Sequence, residues 1–189
     1  MVYKFIFVAL CFVVATIAGF LARYNQDRVF LALGLFFTVL ADFFLVLMDW
    51  HMPGVSVFIF VHFCYMLRVL PARHFYKVGI GIAVALVGIG MGQIIVVGGM
   101  YGLAFLVNIY VNIKYRTQKK ALVLTGLILF MLCDLNVLLY NAQRYLGVGF
   151  AWGLSFYLIW VFYLPSQLLL AFSGCNASGS ATAAPSPKE

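Results

Sequence analysis

Charged residues are scarce in this sequence: Asp, Glu, Lys and Arg make up 9% of its 189 residues, whereas 66% are hydrophobic. About a quarter of a soluble domain is charged, so this composition cannot supply a surface that faces water. The long apolar runs also lack the two-residue alternation of a barrel strand, and helices and closed barrels are the structures that span membranes. The composition therefore predicts an all-α, polytopic transmembrane helical bundle.

Paired cysteines are also missing. The four cysteines, at positions 11, 64, 133 and 175, have no metal-type CxxC spacing and suggest no disulfide framework, so we interpret them as small apolar fillers. The formal net charge of +7 does not indicate a nucleic-acid partner, because the basic residues lie between the apolar runs, where orientation signals belong.

Seven apolar segments are predicted as spans of one domain, residues 1–173. They are residues 3–22, 29–49, 54–71, 77–94, 96–114, 120–142 and 149–173, with the division between the fourth and fifth least sharp near Val97–Gly99. The first segment is long and is followed directly by Arg23, which favours a retained span over a cleaved signal peptide. Residues 174–189 are rich in Ser, Ala and Pro and are predicted to be a disordered cytoplasmic tail.

The basic residues predict the orientation of the chain. Ten of the twelve Lys and Arg residues lie in the first, third and fifth connections or in the tail, against Lys4 and Arg144 on the other side. By the positive-inside rule, the N-terminus lies outside and the C-terminus in the cytoplasm, which requires an odd number of spans. We expect a multi-pass protein of a bacterial plasma membrane.

Three ionisable residues interrupt the apolar spans: Asp42, His62 and Asp134. An aspartate at the centre of a membrane helix costs about 2.5–3.5 kcal/mol on insertion scales, so such residues mark a pathway or a reactive site by default. Asp42 and His62 flank the turn near 51–54 at equal distances, and Asp134 lies at a similar depth from the same side. Equal depth on three helices leads us to expect one shared cavity.

Further polar residues lie near these three along their helices. Asp49 is seven residues beyond Asp42, which predicts a shared helix face, while the Asn108–Asn112 and Tyr163–Gln167 pairs have helical spacing of four. His62 could also serve as an interhelical hydrogen-bonding residue, and the amides as ordinary polar contacts between helices. The fourth span contains a GxxxG at 88–92, which predicts close helix packing.

A short internal repeat includes both aspartates. Residues 34–42 and 126–134 share a glycine, two leucines and a terminal aspartate in register. Both segments run from inside to outside, so a parallel repeat would place Asp42 and Asp134 facing each other across a pseudo-two-fold axis.

The polar residues resemble, in order and spacing, the motifs of the YhhN-type lysoplasmalogenase family over residues 30–172. That family has a Gly-Asp element, a His-x-x-Tyr element, a Ser-Asp element and a Tyr…Gln element, in successive positions along its spans. The counterparts here are Ala41-Asp42, His62-Phe63-Cys64-Tyr65, Cys133-Asp134 and Tyr163-Leu164-Pro165-Ser166-Gln167. Alanine replaces the glycine, cysteine replaces the serine, and seven spans are predicted where the family usually has eight.

The resemblance implies hydrolysis of the vinyl-ether bond of a lysoplasmalogen to a fatty aldehyde and a glycerophospho head group. Asp42 and Asp134 would supply the acid and the base, with His62 orienting one of them or accepting a proton from water. Tyr65, Tyr163, Gln167 and Asn108 would hold the water or the glycerol hydroxyls. Arg68, or Lys114 and Arg116 on the same side, would meet the phosphate of this lysophospholipid substrate. The reaction requires no cofactor or metal.

Two other functions fit the same residues. A proton-coupled transporter or channel also uses buried Asp and His, and a repeat suits a transporter, but the sequence predicts no broken helix at the aspartates. A lipid-binding or scaffold protein without chemistry is the third class. Within the enzyme class, Asp42, His62 and Asp134 could instead ligate zinc, although one histidine and two carboxylates make a thin ligand set.

Overall fold

The computed structural model describes residues 2–21, 26–115, 120–146 and 152–174, and the described residues are helical with short connections. Seven α-helices follow one another along the chain. They are α1 (Val2–Leu21), α2 (Gln26–Asp42), α3 (His51–Val69), α4 (Phe75–Gly90), α5 (Ile94–Lys114), α6 (Lys120–Leu146) and α7 (Trp152–Phe172). The prediction of an all-helical membrane bundle is confirmed. The predicted tail lies mostly outside the described residues.

Six of these segments are long and apolar enough to cross a membrane within the described residues, and a shorter apolar stretch, Phe5–Ile17, belongs to α1. The chain is thus an integral membrane protein. α1 packs against α2 and α7 and buries Val8, Cys11 and Ala15 in the core.

Six helices close into a ring in the order α1, α2, α3, α5, α6, α7, with α7 returning to α1. α4 packs outside the ring against α3 and α5. α2, α4 and α6 lead away from the end that carries Arg68, Lys77 and Lys114, which we call the basic end. The interior of the ring holds one apolar core, centred on Leu127, Phe130 and Tyr65, and a second core lies between α3, α4 and α5.

The helix that carries Asp42 changes its geometry at that residue. α2 ends at Asp42 and continues as a π-helix over Phe43–Leu47, with the amide of Met48 bonded to the carbonyl of Phe43. The predicted continuous helix to residue 49 is therefore wrong. Asp49 lies beyond the helix with φ 55°, so it does not share a face with Asp42. π-segments widen a helix by one residue per turn and occur often at functional sites.

The turn between α4 and α5 lies earlier than predicted. The chain reverses at residues 91–93, where Gly92 adopts φ 68°, a conformation that costs glycine little. Val97, which the sequence placed near this division, is fully buried inside α5. The apolar residues on both sides conceal the turn, since hydropathy alone does not distinguish a tight turn from a helix interior.

Two repeat glycines allow close approach of neighbouring helices. A Cβ on Gly34 would lie 2.9 Å from the Tyr65 ring of α3, and a Cβ on Gly126 would lie 2.9 Å from Leu170 of α7. Each glycine lies about two turns before its aspartate, so the repeat predicted from the sequence corresponds to two tight helical pairs, α2–α3 and α6–α7. Of the predicted GxxxG, Gly88 lies in α4 and packs against Met100, whereas Gly92 lies in the turn after α4 with open space around it, so the motif does not form one helix face.

The basic end is held by a polar clasp between three helices. Arg68 of α3 donates from Nε to Asp27 Oδ1 at 2.9 Å and from Nη2 to Ser173 Oγ at 2.9 Å. Gln26 donates to the carbonyls of Leu67 and Leu70 at the end of α3, where helix carbonyls otherwise lack partners.

Replacing Gly126 with alanine tests the close packing of α6 on α7. The added methyl would meet Leu170 and the carbonyl of Ser166, so Gly126→Ala should lower the free energy of unfolding by about 1–3 kcal/mol. Gly102→Ala is the matched control, because no atom lies within 4 Å of its added Cβ and alanine favours the helix by up to about 1 kcal/mol. Thermal unfolding in detergent measures both; equal melting temperatures would contradict the packing.

Candidate active site

Asp42 is buried at the start of the π-segment with a tyrosine as its partner. Its side chain is 5% exposed, and Oδ2 accepts a hydrogen bond of 2.6 Å from the Tyr163 hydroxyl of α7. This bond joins α2 to α7 across the ring. The Tyr163 hydroxyl thus supplies the polar contact that a buried carboxyl requires.

Asp134 repeats this arrangement on α6. Its carboxyl is partly buried and accepts a hydrogen bond from the Tyr101 hydroxyl of α5. The two aspartates are near enough to interact electrostatically, so the interior of the ring holds two tyrosine–aspartate pairs side by side. Two carboxyls in such proximity can divide the roles of proton donor and proton acceptor.

Aromatic rings pack around the two pairs. Phe130 lies at the centre, with ring centroids 5.8 Å from both His62 and Tyr163. The His62 ring stacks on Phe105 at 4.3 Å and lies 5.2 Å from the Tyr101 ring. These contacts bring His62, as predicted, to the same interior as both aspartates.

His62 is oriented by a chain of amides on α5 rather than by an aspartate. Asn112 donates to the backbone carbonyl of Asn108 at 2.9 Å, which identifies its nitrogen, and also to Asn108 Oδ1 at 2.8 Å. The Asn108 nitrogen then lies 3.2 Å from His62 Nδ1. Since that nitrogen can only donate, Nδ1 accepts, and neutral His62 carries its proton on Nε2.

Gln167 and Tyr65 border the same interior. Gln167 is fully buried and donates to Ser166 Oγ at 3.4 Å, while Ser166 donates to the carbonyl of Tyr163. The Tyr65 ring covers Gly34, and its hydroxyl lies next to Thr38 without a bond of good geometry.

Three of the buried polar atoms that lack a hydrogen bond to another described residue belong to this interior: His62 Nε2, Tyr65 Oη and Gln167 Oε1. A buried polar group without a partner costs about 1–3 kcal/mol, and groups of this kind are uncommon in proteins. All three belong to residues that the sequence singled out. The accumulation of unpaired donors and acceptors around the two carboxyls is what a site for a polar ligand requires.

Arg68 lies at the border of this interior, with its guanidinium carbon 5.9 Å from the centroid of the Tyr65 ring. Its guanidinium is engaged in the clasp with Asp27 and Ser173, so it stabilises the basic end of the bundle, and its role toward a substrate phosphate stays a prediction. Arg116 lies outside the described residues. Among the described side chains, no group of three His, Cys, Asp or Glu residues is arranged to hold a metal ion.

Tyr101 is the main site residue that the sequence analysis missed. It lies seven residues before Asn108, with Phe105 between them at helical spacing, so all three occupy one face of α5. Tyrosines are common in membrane proteins as interfacial anchors, so the sequence alone did not mark Tyr101 as a candidate site residue. Cys133, next to Asp134, is also buried in the ring core.

The amide chain predicts the tautomer of His62. In ¹⁵N NMR of the protein in detergent, neutral His62 should carry its proton on Nε2, and Asn112→Leu should shift its ring resonances because Asn108 becomes free to rotate. The chain has three histidines, so His51→Gln and His74→Gln assign the signals. A protonated Nδ1 in the unchanged protein would contradict this geometry.

Comparison with known proteins agrees with the ordered motifs. Neither the curated proteins nor the solved structures contain a match to this chain. The model of the YhhN family, in contrast, matches residues 1–174. This span is wider than the stretch over which the motifs alone indicated a resemblance, and it includes α1 and every residue of the two tyrosine–aspartate pairs. The chain belongs to the YhhN family.

Proposed function

We propose that this protein is an intramembrane hydrolase that cleaves the vinyl-ether bond of a lysoplasmalogen. The observation that supports this most directly is the pair of interacting carboxyls, Asp42 and Asp134, each bonded to a tyrosine inside an apolar ring. A lipid substrate suits this location, because the bilayer supplies it directly to a ring of membrane helices, and its polar glycerol portion would meet the unpaired atoms near the carboxyls.

The chemistry begins with a proton. One carboxyl, in its neutral form, protonates the outer alkene carbon, and the ether oxygen stabilises the resulting cation as an oxocarbenium ion. The other carboxylate, which interacts electrostatically with the first, would lower the energy of that cation, because opposite charges interact strongly in a medium of low dielectric constant.

Water completes the reaction. The second carboxylate takes a proton from the water molecule that attacks the oxocarbenium carbon, and a hemiacetal forms. The hemiacetal hydroxyl loses its proton, the bond from this carbon to the glycerol oxygen breaks, and that oxygen is protonated. The products are a fatty aldehyde and a glycerophospho head group. Proton transfer between the two neighbouring carboxyls restores the starting state.

The remaining polar residues would position the reactants. Tyr163 and Tyr101 hold the carboxyls in place through hydrogen bonds. His62, with its proton on Nε2, would donate to an oxygen of the substrate or the water, and Gln167 would accept from a hydroxyl. In this role His62 serves as a donor, which differs from the proton acceptor that the resemblance suggested. We place the basic end in the cytoplasm, following the positive-inside rule.

Aldehyde release from a lysoplasmalogen by the purified protein is the primary test. Asp42→Asn and Asp134→Asn should each reduce the rate by about 100-fold or more, since a general acid or base contributes about 10²–10⁴-fold. Asp49→Asn is the matched control, because Asp49 is 81% exposed beyond the helix and should keep the full rate.

Three results would contradict this assignment. Activity that a chelator abolishes would indicate a metal-dependent hydrolase. Loss of activity in Asp49→Asn equal to that in Asp42→Asn would indicate a general loss of folding. A folded protein without activity, which acidifies the interior of liposomes when a proton gradient is applied, would indicate a transporter.

Isotope labelling tests which bond breaks. In water labelled with ¹⁸O, the glycerophospho product should contain no ¹⁸O, because water attacks the alkenyl carbon and the ether oxygen leaves with glycerol. In D₂O, the aldehyde should gain one deuterium at carbon 2, the carbon that the acid protonates. Mass spectrometry of both products measures this, and ¹⁸O in the glycerol portion would show attack on the glycerol side instead.

A further inference from the structure

A second concave surface lies on the side of α3 and α5 that faces away from the aspartates. It is a groove between α3, α4 and α5 with a volume of about 410 Å³, within the range of about 300–1,000 Å³ typical of ligand sites. Ile59, Phe63 and Met66 line it from α3, and Ala104, Val107 and Val111 line it from α5. Its walls are thus apolar over most of its length.

The groove and the carboxyl site use opposite faces of the same two helices. On α5, Met100, Ala104 and Val111 face the groove, whereas Tyr101 and Asn108 face the interior of the ring. The wall formed by α3 and α5 therefore separates the two sites. A molecule in the groove would not reach Asp42 or Asp134, so a ligand of the groove would be distinct from a substrate of the carboxyl site.

One end of the groove is cationic. Lys77 and Lys114 line it there with His74, and the Lys114 ammonium lies over the rings of Tyr110 and Tyr115 at 5.7 and 5.9 Å. Among the described residues, neither ammonium has a carboxylate within 4 Å. His74 Nδ1 is buried and also lacks a partner in the described part of the chain.

The length of the groove matches one leaflet of a bilayer. Met100 and Lys114 are fourteen residues apart on α5, or about 21 Å along the helix, and one leaflet with its head groups is about 20–22 Å thick. The missing side chain of Gly81 lets the Phe63 ring approach α4 closely, and Gly88 is in contact with Met100 at the other end of the groove.

We propose that this groove binds one anionic phospholipid of the bilayer, with its phosphate on Lys77 and Lys114 and an acyl chain along α3 and α5. Basic pockets between membrane helices at this depth suit anionic head groups. A second copy of the chain is a poorer occupant: in one membrane it has the same orientation, so its basic end would lie beside this one. The proposal does not depend on the proposed hydrolysis.

Native mass spectrometry of the full-length protein tests the proposal after extraction from bilayers of phosphatidylcholine and phosphatidylglycerol. The protein should retain one phosphatidylglycerol and no phosphatidylcholine. In Lys77→Gln/Lys114→Gln, retention should weaken about 30-fold, because each lysine near an anionic head group contributes roughly fivefold. Arg73→Gln is the charge control, since Arg73 is exposed at the same end but does not line the groove.

A matched pair of tryptophans tests the acyl chain separately. Val107→Trp should fill the groove and abolish retention, whereas Leu106→Trp, on the adjacent exposed position outside the groove, should leave it unchanged. Circular dichroism melting checks that both variants fold. If Val107→Trp does not fold, Leu103→Trp replaces it, because Leu103 also lines the groove.

Four results would overturn the proposal. They are equal retention of both lipids, retention unchanged in the double lysine variant, retention unchanged when the groove is filled, and displacement of the lipid by glycerol phosphate at equal concentration. The last result would mean that a free phosphate, not a lipid, is the ligand. None of these measurements uses enzyme activity. A negative result for hydrolysis would therefore leave the proposed lipid site intact, and a negative result for lipid binding would leave the proposed hydrolysis intact.

Discussion

Burial of two carboxyl groups inside an apolar ring is the constraint on which the rest of this structure depends. A carboxyl at this depth needs polar partners, since lipid supplies none. Tyr163 and Tyr101 provide them, and each bond crosses between helices: α2 to α7 for Asp42, and α5 to α6 for Asp134. The hydrogen bonds that satisfy the carboxyls thus also join helices of the ring, so the geometry of the site and the packing of the helices depend on the same contacts.

The ring gives the helices different roles according to their position in it or outside it. Helices α2, α3, α5, α6 and α7 each contribute a polar side chain to the interior, while α4 stays outside and packs on α3 and α5. An outer helix with an open groove and a cationic end is free to bind lipid without disturbing the carboxyls. The bundle therefore separates a region for chemistry from a region for contact with the bilayer, with α3 and α5 as the shared wall.

Irregular helix geometry and incomplete hydrogen bonding both occur near the carboxyls. The π-segment begins directly after Asp42, and the buried atoms of His62, Tyr65 and Gln167 lack partners within the described residues. Such features lower stability and persist where surrounding packing enforces them. In this chain the enforcing contacts are the stacked rings of Phe105 and Phe130 and the glycine-mediated approach of α2 to α3.

Much of the site was predictable because polar residues are conspicuous in an apolar chain. Asp42, His62 and Asp134 followed from their rarity, and Asn108, Tyr163 and Gln167 from helical spacing. Tyr101 was missed, since a tyrosine in a membrane helix has a common alternative role at the interface. The π-segment and the turn at Gly92 were missed because hydropathy is the same on both sides of each, and Arg68 looked like a free cation because its partner Asp27 lies 41 residues away.

The sequence by itself determined that the helices lie in lipid, that the fold is all-helical and how far along each span the ionisable residues lie. These features depend on composition and on distance along a helix. The tertiary structure decided which helices became neighbours, and with that the pairing of each aspartate with a tyrosine, the tautomer of His62 and the groove behind α3 and α5. These features depend on contacts between residues far apart in the chain, and local periodicity carries no information about which of several apolar helix faces meet.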